Sequence, residues 1–304
     1  MERLEISDLV VAFDGATSAR LPVRRDDVVR ELANAGDRRG AAIARRLPTG
    51  PGGFLDEAQI DRLLVRVHTE LQRLSEEFQQ GRRVEQLLGP LVRSLPPGPG
   101  GRRAIVDVGC GLGYLVRWLA LRSSLGPSVD LVGCDYNHAL IAAARRLAAD
   151  ESLACTFVAA NAFSLDRPSA VFVSTGVVHH FRGSDLDAFF AAQDAAGAAA
   201  FVHYDTAPTS LAPLGAWLFH WARMREPLSR HDGMQSVRRA HTDDELVDAV
   251  RRGAPGMVPV LLDGVRARHP LLNVLRPVIG IRPEHLDGFL RALGPLAPRA
   301  EVRR

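Results

Sequence analysis

Three glycines at alternate positions follow a short apolar segment in the first half of the chain. The segment reads Ile105-Val-Asp-Val-Gly-Cys-Gly-Leu-Gly113, and residues with helical spacing begin at Tyr114. Glycine has no side chain, so the backbone can turn tightly there and approach a ligand closely. In doubly wound α/β proteins, ligands bind beyond the carboxyl ends of the strands, beside such turns. The sequence therefore predicts an α/β fold with a ligand site at these glycines.

An acidic residue and the glycine spacing separate this turn from the turn of dinucleotide-binding enzymes. The dinucleotide turn reads G-x-G-x-x-G and holds a pyrophosphate at a helix N-terminus. Here the third glycine comes one residue earlier, and Asp107 lies two residues before Gly109. A carboxylate repels a pyrophosphate but attracts a sulfonium or an ammonium group. The turn therefore favours a protein that binds a cationic ligand. The alternative is an NAD(P)-dependent oxidoreductase.

Short apolar segments alternate with helical segments beyond residue 100. The apolar segments are rich in β-branched residues and lack a polar face, which is typical of a parallel sheet covered on both sides by helices. Right-handed crossovers between such strands give a doubly wound sheet. We predict seven strands, mostly parallel, at residues 104–108, 129–134, 154–159, 170–174, 198–204, 257–262 and 274–281.

Proline and glycine divide the chain into two predicted domains. The segment Leu95-Pro-Pro-Gly-Pro-Gly-Gly101 suits neither a helix nor a central strand, so we interpret it as a linker. The preceding residues have helical periodicity, and Asp56 is the predicted N-cap of one helix. The prediction is a helical N-terminal extension, residues 1–95, followed by a ligand-binding domain, residues 96–304.

The composition excludes several classes of function. All 38 basic side chains are arginines; they are scattered among 35 acidic side chains and leave a net charge of +3, so we expect no nucleic-acid partner. The first eight residues carry three acids, unlike a secretory signal, and no apolar run approaches the ~18 residues that cross a bilayer. The three cysteines form no CxxC pair. We therefore expect a cytoplasmic protein without membrane insertion, disulfides or a metal site.

The glycine-rich turn, Asp107-Val-Gly-Cys-Gly-Leu-Gly113, resembles motif I of the class I S-adenosylmethionine-dependent methyltransferases. The resemblance covers about residues 100–205 and implies a Rossmann-like methyltransferase fold whose last two strands form an antiparallel hairpin. It also implies that the turn wraps the methionine part and the ribose of S-adenosylmethionine. The residues assigned to the cofactor in this turn are Asp107, Gly109, Cys110, Gly111 and Gly113.

The ends of the next two predicted strands carry further residues in the family's order. Asp135 lies 22 residues after Gly113, where a carboxylate can accept hydrogen bonds from both ribose hydroxyls. A dehydrogenase also has an acid here, and a helix N-cap is a third interpretation. The resemblance implies that Tyr136 packs beside the adenine. Asn161, followed by Ala162, replaces the usual Asp of the family, and its amide oxygen can still accept a hydrogen bond from the adenine amine.

The fourth predicted strand runs into Ser174-Thr-Gly-Val-Val-His-His-Phe181. This segment resembles the fourth motif of small-molecule C- and O-methyltransferases such as the ubiquinone/menaquinone methyltransferase group, and Thr175 within it is assigned to the cofactor. The Asn-Pro-Pro-Tyr and Asp-Pro-Pro-Tyr motifs, typical of nucleic-acid amino-methyltransferases, do not occur in the chain.

Histidines close to the predicted strand ends are candidate general bases. Methyl transfer requires the acceptor and the methyl group in near-attack geometry, and a phenol or enol acceptor must also lose a proton. Histidine accepts protons near neutral pH. We predict His180 as the base or a substrate contact and expect His179 to hydrogen-bond the loop. His203 is the second candidate, because strand alternation puts it on the same side as Asp205, which either orients it or caps the following turn.

Residues 208–240 interrupt the strand–helix alternation and are rich in aromatic side chains. We interpret them as a lid-like insertion over an apolar or aromatic acceptor, with core packing as the alternative. The prediction is an O- or C-methyltransferase that acts on a small molecule with S-adenosylmethionine as cofactor. A non-catalytic methyltransferase-fold interaction module is the other alternative, and the oligomeric state is left open. The remaining histidines expected to be solvated or to cap helices are His220, His231 and His241.

Overall fold

The computed structural model describes residues 3–303 apart from residues 16, 18, 166–169, 209–211 and 263–274. The chain divides into two compact units. The helical unit comprises Met1–Leu74 and Pro208–Ala240, and the sheet unit comprises Ser75–Ala207 and His241–Arg304. Four residues of the predicted lid and of the last predicted strand lie outside the described residues: Thr209, Ser210, Leu211 and Val274.

The helices and strands of both units follow in chain order. The described α-helices are α1 (Ile6–Leu9), α2 (Arg25–Asn34), α3 (Arg38–Ala44), α4 (Glu57–Glu77), α5 (Gln80–Ser94), α6 (Tyr114–Arg122), α7 (His138–Asp150), α8 (Ser184–Ala195), α9 (Ala212–Arg223), α10 (Pro227–Arg238), α11 (Asp243–Gly253) and α12 (Pro283–Leu293). The described strands are β1 (Ala12–Phe13), β2 (Arg20–Leu21), β3 (Arg103–Val108), β4 (Val129–Asp135), β5 (Thr156–Ala159), β6 (Val171–Thr175), β7 (Ala200–Thr206), β8 (Val258–Leu262), β9 (Leu275–Ile281) and β10 (Ala300–Val302). Helix α5, placed in the N-terminal extension by the sequence interpretation, belongs to the sheet unit.

The sheet unit is built on eight described strands in the order β10-β8-β9-β7-β6-β3-β4-β5. Strands β7, β6, β3, β4 and β5 run parallel, while β9, β8 and β10 pair antiparallel. The doubly wound, mostly parallel α/β fold is confirmed, with eight strands instead of the predicted seven. The extra strand is β10, which pairs with β8 and is too short to show an apolar alternation in the sequence.

Two hydrophobic clusters bury the sheet from its two sides. Ile105 belongs to the cluster that contains residues of α5, α6 and α12, whereas Val106 belongs to the cluster that contains residues of α8 and α11. Successive strand residues point to opposite faces, so these clusters cover opposite faces of the sheet. This two-sided burial explains why the strands are apolar throughout and leaves the carboxyl ends of the parallel strands as the place for polar residues.

Three histidines that the sequence interpretation places in solvent or at helix caps are instead buried. His220 packs against Gly233, where a Cβ atom would lie 2.2 Å from the histidine Cε1. His231 bonds two carboxylates of the helical unit, and His241 bonds backbone carbonyls of the sheet unit. Apart from Asp232, which directly follows His231, these partners are distant in sequence, so the residues beside each histidine do not reveal them.

The helical unit is held in part by hydrogen bonds around His231. Nε2 of His231 lies 2.5 Å from Asp37 Oδ2, and Nδ1 lies 2.7 Å from Asp232 Oδ1. Asp232 also accepts hydrogen bonds from the amides of Ile6 and Ser7. Burial lowers the pKa of His231, but the two carboxylates outweigh burial and raise it. This network joins α1, α3 and α10 of the same unit.

A substitution at Gly113 tests how tightly the glycine-rich turn is packed. It has φ +72°, and a Cβ atom there would lie 2.2 Å from Cε1 of Phe157. Gly197 has a similar φ of +75° but no atom within 4 Å of the same position. Both alanine substitutions carry the strain of a positive φ, so Gly113→Ala should cost about 1–3 kcal/mol more stability than Gly197→Ala. Urea unfolding measures the difference, and equal losses would contradict the packing.

Candidate functional site

The glycine-rich turn connects β3 to α6 at the carboxyl end of β3. Gly109, Gly111 and Gly113 have φ values of +71°, +54° and +72°, in the left-handed region that favours glycine. The amides of Gly109 and Cys110 donate hydrogen bonds of 2.8 and 2.9 Å to the carbonyl of Cys134. The turn is thereby fixed to the end of the neighbouring strand β4.

Asp107 lies within β3, directly before the turn. Its side chain is buried, and no described residue donates a hydrogen bond to its carboxylate. Burial, with a smaller contribution from the charge of Asp135, raises the pKa of Asp107 well above its usual value. A buried carboxyl group without a protein partner is costly in its ionised form. A cationic ligand beside the turn would compensate for that cost.

Asp135 lies at the end of β4 and joins two loops. Its Oδ2 accepts a hydrogen bond of 2.9 Å from the amide of Gly111, and its Oδ1 accepts one of 2.9 Å from the amide of Asn137. Burial raises the pKa of Asp135, although both amides counteract this effect. Asn137, not Asp135, is the N-cap of α7. Two carboxylate oxygens offer about four acceptor positions, so Asp135 retains the capacity to accept ligand hydroxyl groups.

The residues after β4 and β5 present aromatic side chains at the same edge of the sheet. Tyr136 follows β4 and is exposed, as is Phe163 after β5. Oδ1 of Asn161 accepts a hydrogen bond of 2.9 Å from the amide of Phe163, which leaves its second lone pair for another donor. Ala162 is half-buried. The sequence interpretation missed Phe163, although its position after Asn-Ala at a strand end was a usable signal.

A short 3₁₀ turn, Val178–His180, follows β6 and is held by Asp205 at the end of β7. The backbone amide of His179 donates to Oδ2 of Asp205 over 2.9 Å, and Nδ1 donates to Oδ1 over 2.8 Å. Burial raises the pKa of Asp205, but His179 outweighs burial and lowers it to about 2. Because Nδ1 of His179 is the donor, the lone pair of the neutral ring lies on Nε2. Asp205 therefore orients His179, whereas the sequence left open whether it orients His203 or caps the following turn.

The same turn is fixed from a second side by His241. Its Nε2 donates to the carbonyls of Phe181, over 3.0 Å, and Val178, over 3.3 Å. Arg182 donates a hydrogen bond of 3.1 Å to Nδ1 of His241. Burial and the charge of Arg182 lower the pKa of His241, so the ring stays neutral and keeps one donor and one acceptor. The turn is therefore a rigid support for His180.

His180 is half-buried, and its ring lies 4.4 Å from the ring of His179, centroid to centroid. The charge of His180 lowers the pKa of Asp135, so the two side chains are within electrostatic reach. Thr175 ends β6, three residues before the turn. The structure thus brings His180, Asp135 and the glycine-rich turn to one edge of the sheet, as the sequence predicted.

The surroundings of His203 do not support a role for it as general base. It is fully buried, with 0% exposure. Ser174 donates a hydrogen bond of 2.8 Å to its Nδ1, and its Nε2 donates one of 2.9 Å to Oε1 of Gln193. Burial lowers the pKa of His203 to about 3. Three phenylalanine rings, including Phe189, pack against it. Strand alternation put His203 on the same side of β7 as Asp205 but did not reveal that helix α8 covers that face.

The chain is similar in sequence and in fold to known methyltransferases. Residues 105–195 match the family model of a methyltransferase domain, while the curated proteins gave no match. Two structures of the plantazolicin methyltransferase BpumL, one with a monoazolic desmethylPZN analog and SAH and one with SAH, have 11% identity to this chain. They cover 85% of this chain and 98% or 99% of their own, with TM-scores of 0.52 and 0.51, and show a shared fold. The magnesium protoporphyrin IX methyltransferase from Synechocystis PCC 6803 with bound SAH is 16% identical over 84% of this chain and 99% of its own, with a TM-score of 0.42.

The buried carboxylate of Asp107 is the first residue to test. Asp107→Asn should lower the affinity for S-adenosylmethionine about 10- to 100-fold, because a hydrogen bond to a charged group contributes ~1.5–3 kcal/mol. Calorimetric titration measures the affinity. The stability of the ligand-free chain should not fall, because the substitution removes a carboxyl group whose ionised form burial disfavours. Asp130→Asn, at an exposed carboxylate on the neighbouring strand, is the matched control.

The same assignment gives a pH dependence with a definite sign. Lowering the pH through the raised pKa of Asp107 protonates the carboxyl group and removes its attraction for a cation. The affinity of the unaltered chain should therefore fall as the pH falls, and this part of the dependence should be absent in Asp107→Asn. A parallel pH dependence in both proteins would disprove the role of Asp107.

Proposed function

We propose that this chain, a methyltransferase whose cofactor is S-adenosylmethionine, transfers a methyl group to an oxygen or a carbon of a small apolar or aromatic molecule. The observation that carries the proposal is the buried carboxylate of Asp107 beside a turn of bare backbone. This arrangement suits a cationic ligand and disfavours the pyrophosphate of NAD(P), since like charges repel in a poorly solvated site. It supports S-adenosylmethionine over the oxidoreductase alternative.

In this proposal, different residues around the turn bind different parts of the cofactor. Asp107 holds its positively charged end, and the turn from Gly109 through Cys110 and Gly111 to Gly113 lines its methionine part. Asp135 accepts from the ribose hydroxyls with the acceptor positions that the amides of Gly111 and Asn137 leave unused. The adenine side is assigned to Tyr136, Asn161 and Ala162, and Thr175 is assigned to the end of β6.

When bound, S-adenosylmethionine supplies an electrophilic methyl group on a sulfonium. The protein's contribution is to hold the acceptor in line with that group and, for a phenol or enol, to remove a proton. We assign the removal of this proton to His180, which is half-buried on a turn fixed by Asp205 and His241. His179, with its Nδ1 bound to Asp205, keeps the adjacent ring in place.

The acceptor class is inferred from aromatic side chains beside that turn. Phe163 contacts Phe181 edge to face, with 5.0 Å between the ring centroids. Phe181 directly follows His180, so an apolar wall lies next to the proposed base. Apolar walls with a few polar groups are typical of small-molecule pockets.

Isotope transfer tests the proposed activity directly. The chain is incubated with methyl-labelled S-adenosylmethionine and fractions of a small-metabolite extract, and the fractions are analysed by mass spectrometry. We expect label in one or more apolar fractions, together with formation of S-adenosylhomocysteine. Tight cofactor binding without labelled product in any fraction would favour the non-catalytic interaction module.

His180→Gln separates proton removal from cofactor binding. General base catalysis contributes about 10²–10⁴-fold, so kcat should fall by at least about 10²-fold while the affinity for S-adenosylmethionine stays close to the original value. Steady-state kinetics and calorimetry measure the two effects. His285→Gln on α12 is the matched control and should leave kcat unchanged. A normal kcat in His180→Gln would remove this residue from the mechanism.

A further inference from the structure

Helix α9 of the helical unit has an unusual distribution of apolar side chains. Leu214, Trp217, Leu218 and Trp221 are 59%, 49%, 55% and 64% exposed. Their spacing of three, four and seven residues puts them on one face of the helix, which we call the α9 stripe. Exposed contiguous apolar surface of this kind marks interaction sites in soluble proteins.

The buried side of α9 carries a polar side chain, that of His220. His220 is buried and packs against Gly233 of α10, and burial lowers its pKa to about 4. A helix packed only for its own unit would bury tryptophan and leave histidine in water. The reversed arrangement indicates that the stripe is kept outward for a partner.

The charges next to the stripe favour one kind of partner. Residues 208–225 contain no Asp or Glu, while Arg223 and Arg225 lie exposed at the carboxyl end of the helix. A helix that exposes Trp and Leu on one face and carries arginines at its end is typical of helices that lie in the interface of an anionic bilayer. Tryptophan favours that interface because its ring is apolar and its N–H group is polar.

We propose that the α9 stripe binds peripherally to a membrane surface that carries anionic phospholipid headgroups. The 12 residues of α9 extend over about 18 Å, so the helix lies along the surface with its leucines and tryptophans at the level of the headgroups. Among the described residues, none of the helices combines the length and the apolar character needed to cross a bilayer. The arginines at its end contact lipid phosphates.

Two measurements on the full chain test this inference. The first is co-sedimentation with phosphatidylcholine vesicles that contain or lack phosphatidylglycerol, at low and high salt. The second is tryptophan fluorescence in a Trp118→Phe background, where the stripe residues Trp217 and Trp221 are the remaining tryptophans. We expect sedimentation with the anionic vesicles that weakens with salt, and a blue shift of the fluorescence on binding.

The variants identify the surface and its charge requirement. Trp217→Ser with Trp221→Ser should abolish sedimentation, and Arg223→Glu with Arg225→Glu should weaken it by about tenfold or more, since each cation near an anionic surface contributes ~1 kcal/mol. Leu218→Ala should weaken binding, whereas Leu121→Ala, at a leucine of α6 that is 62% exposed, is the matched control and should not.

Three results would overturn the inference. Equal binding to neutral vesicles would show that anionic headgroups are not required. No binding of the unaltered chain to any vesicle at low salt would show that the α9 stripe is not a membrane-binding surface. A concentration-dependent dimer that Trp217→Ser with Trp221→Ser abolishes, without vesicle binding, would identify a second copy as the partner. The methyl-transfer assay is independent of all three, so failure here leaves the proposed activity standing.

Discussion

Two buried carboxyl groups at the ends of neighbouring strands set the electrostatics of the site. Asp107 and Asp135 share one poorly solvated edge of the sheet, and the charge of Asp135 helps to raise the pKa of Asp107. Asp135 is stabilised by two backbone amides, whereas no described residue donates to Asp107. Such an unbalanced pair favours a ligand that brings positive charge. The bare backbone of the glycine-rich turn then allows that ligand to approach closely.

The rest of the site is organised by hydrogen bonds that immobilise a single short turn. Asp205 holds the backbone and the ring of His179, and His241 binds the carbonyls of Val178 and Phe181. Each interaction joins residues from different elements of the sheet unit, so the turn is fixed by the fold and not by its own sequence. This support matters because a misplaced base or acceptor costs much of the benefit of proximity.

Histidine shows how the environment decides the chemistry of one residue type. His203 is fully buried between aromatic rings with both nitrogens hydrogen bonded, and burial depresses its pKa to about 3. His231 lies between two carboxylates that raise its pKa. His180 is half-buried and near a carboxylate. Of these three, His180 has the access that proton transfer requires, whereas the other two are structural.

The sequence by itself determined the alternation of strands and helices in the sheet unit, the glycine-rich turn and the positions of Asp107, Asp135 and His180 close to strand ends. These features depend on local periodicity and on the conformational freedom of glycine, which neighbouring residues reveal. Only the tertiary structure decided that Asp205 binds His179, that His203 is covered by α8, that β10 joins the sheet and that α9 turns its tryptophans outward. Each of these depends on contacts between residues far apart in the chain. An apolar pattern indicates which face of an element is buried but not which other element covers that face.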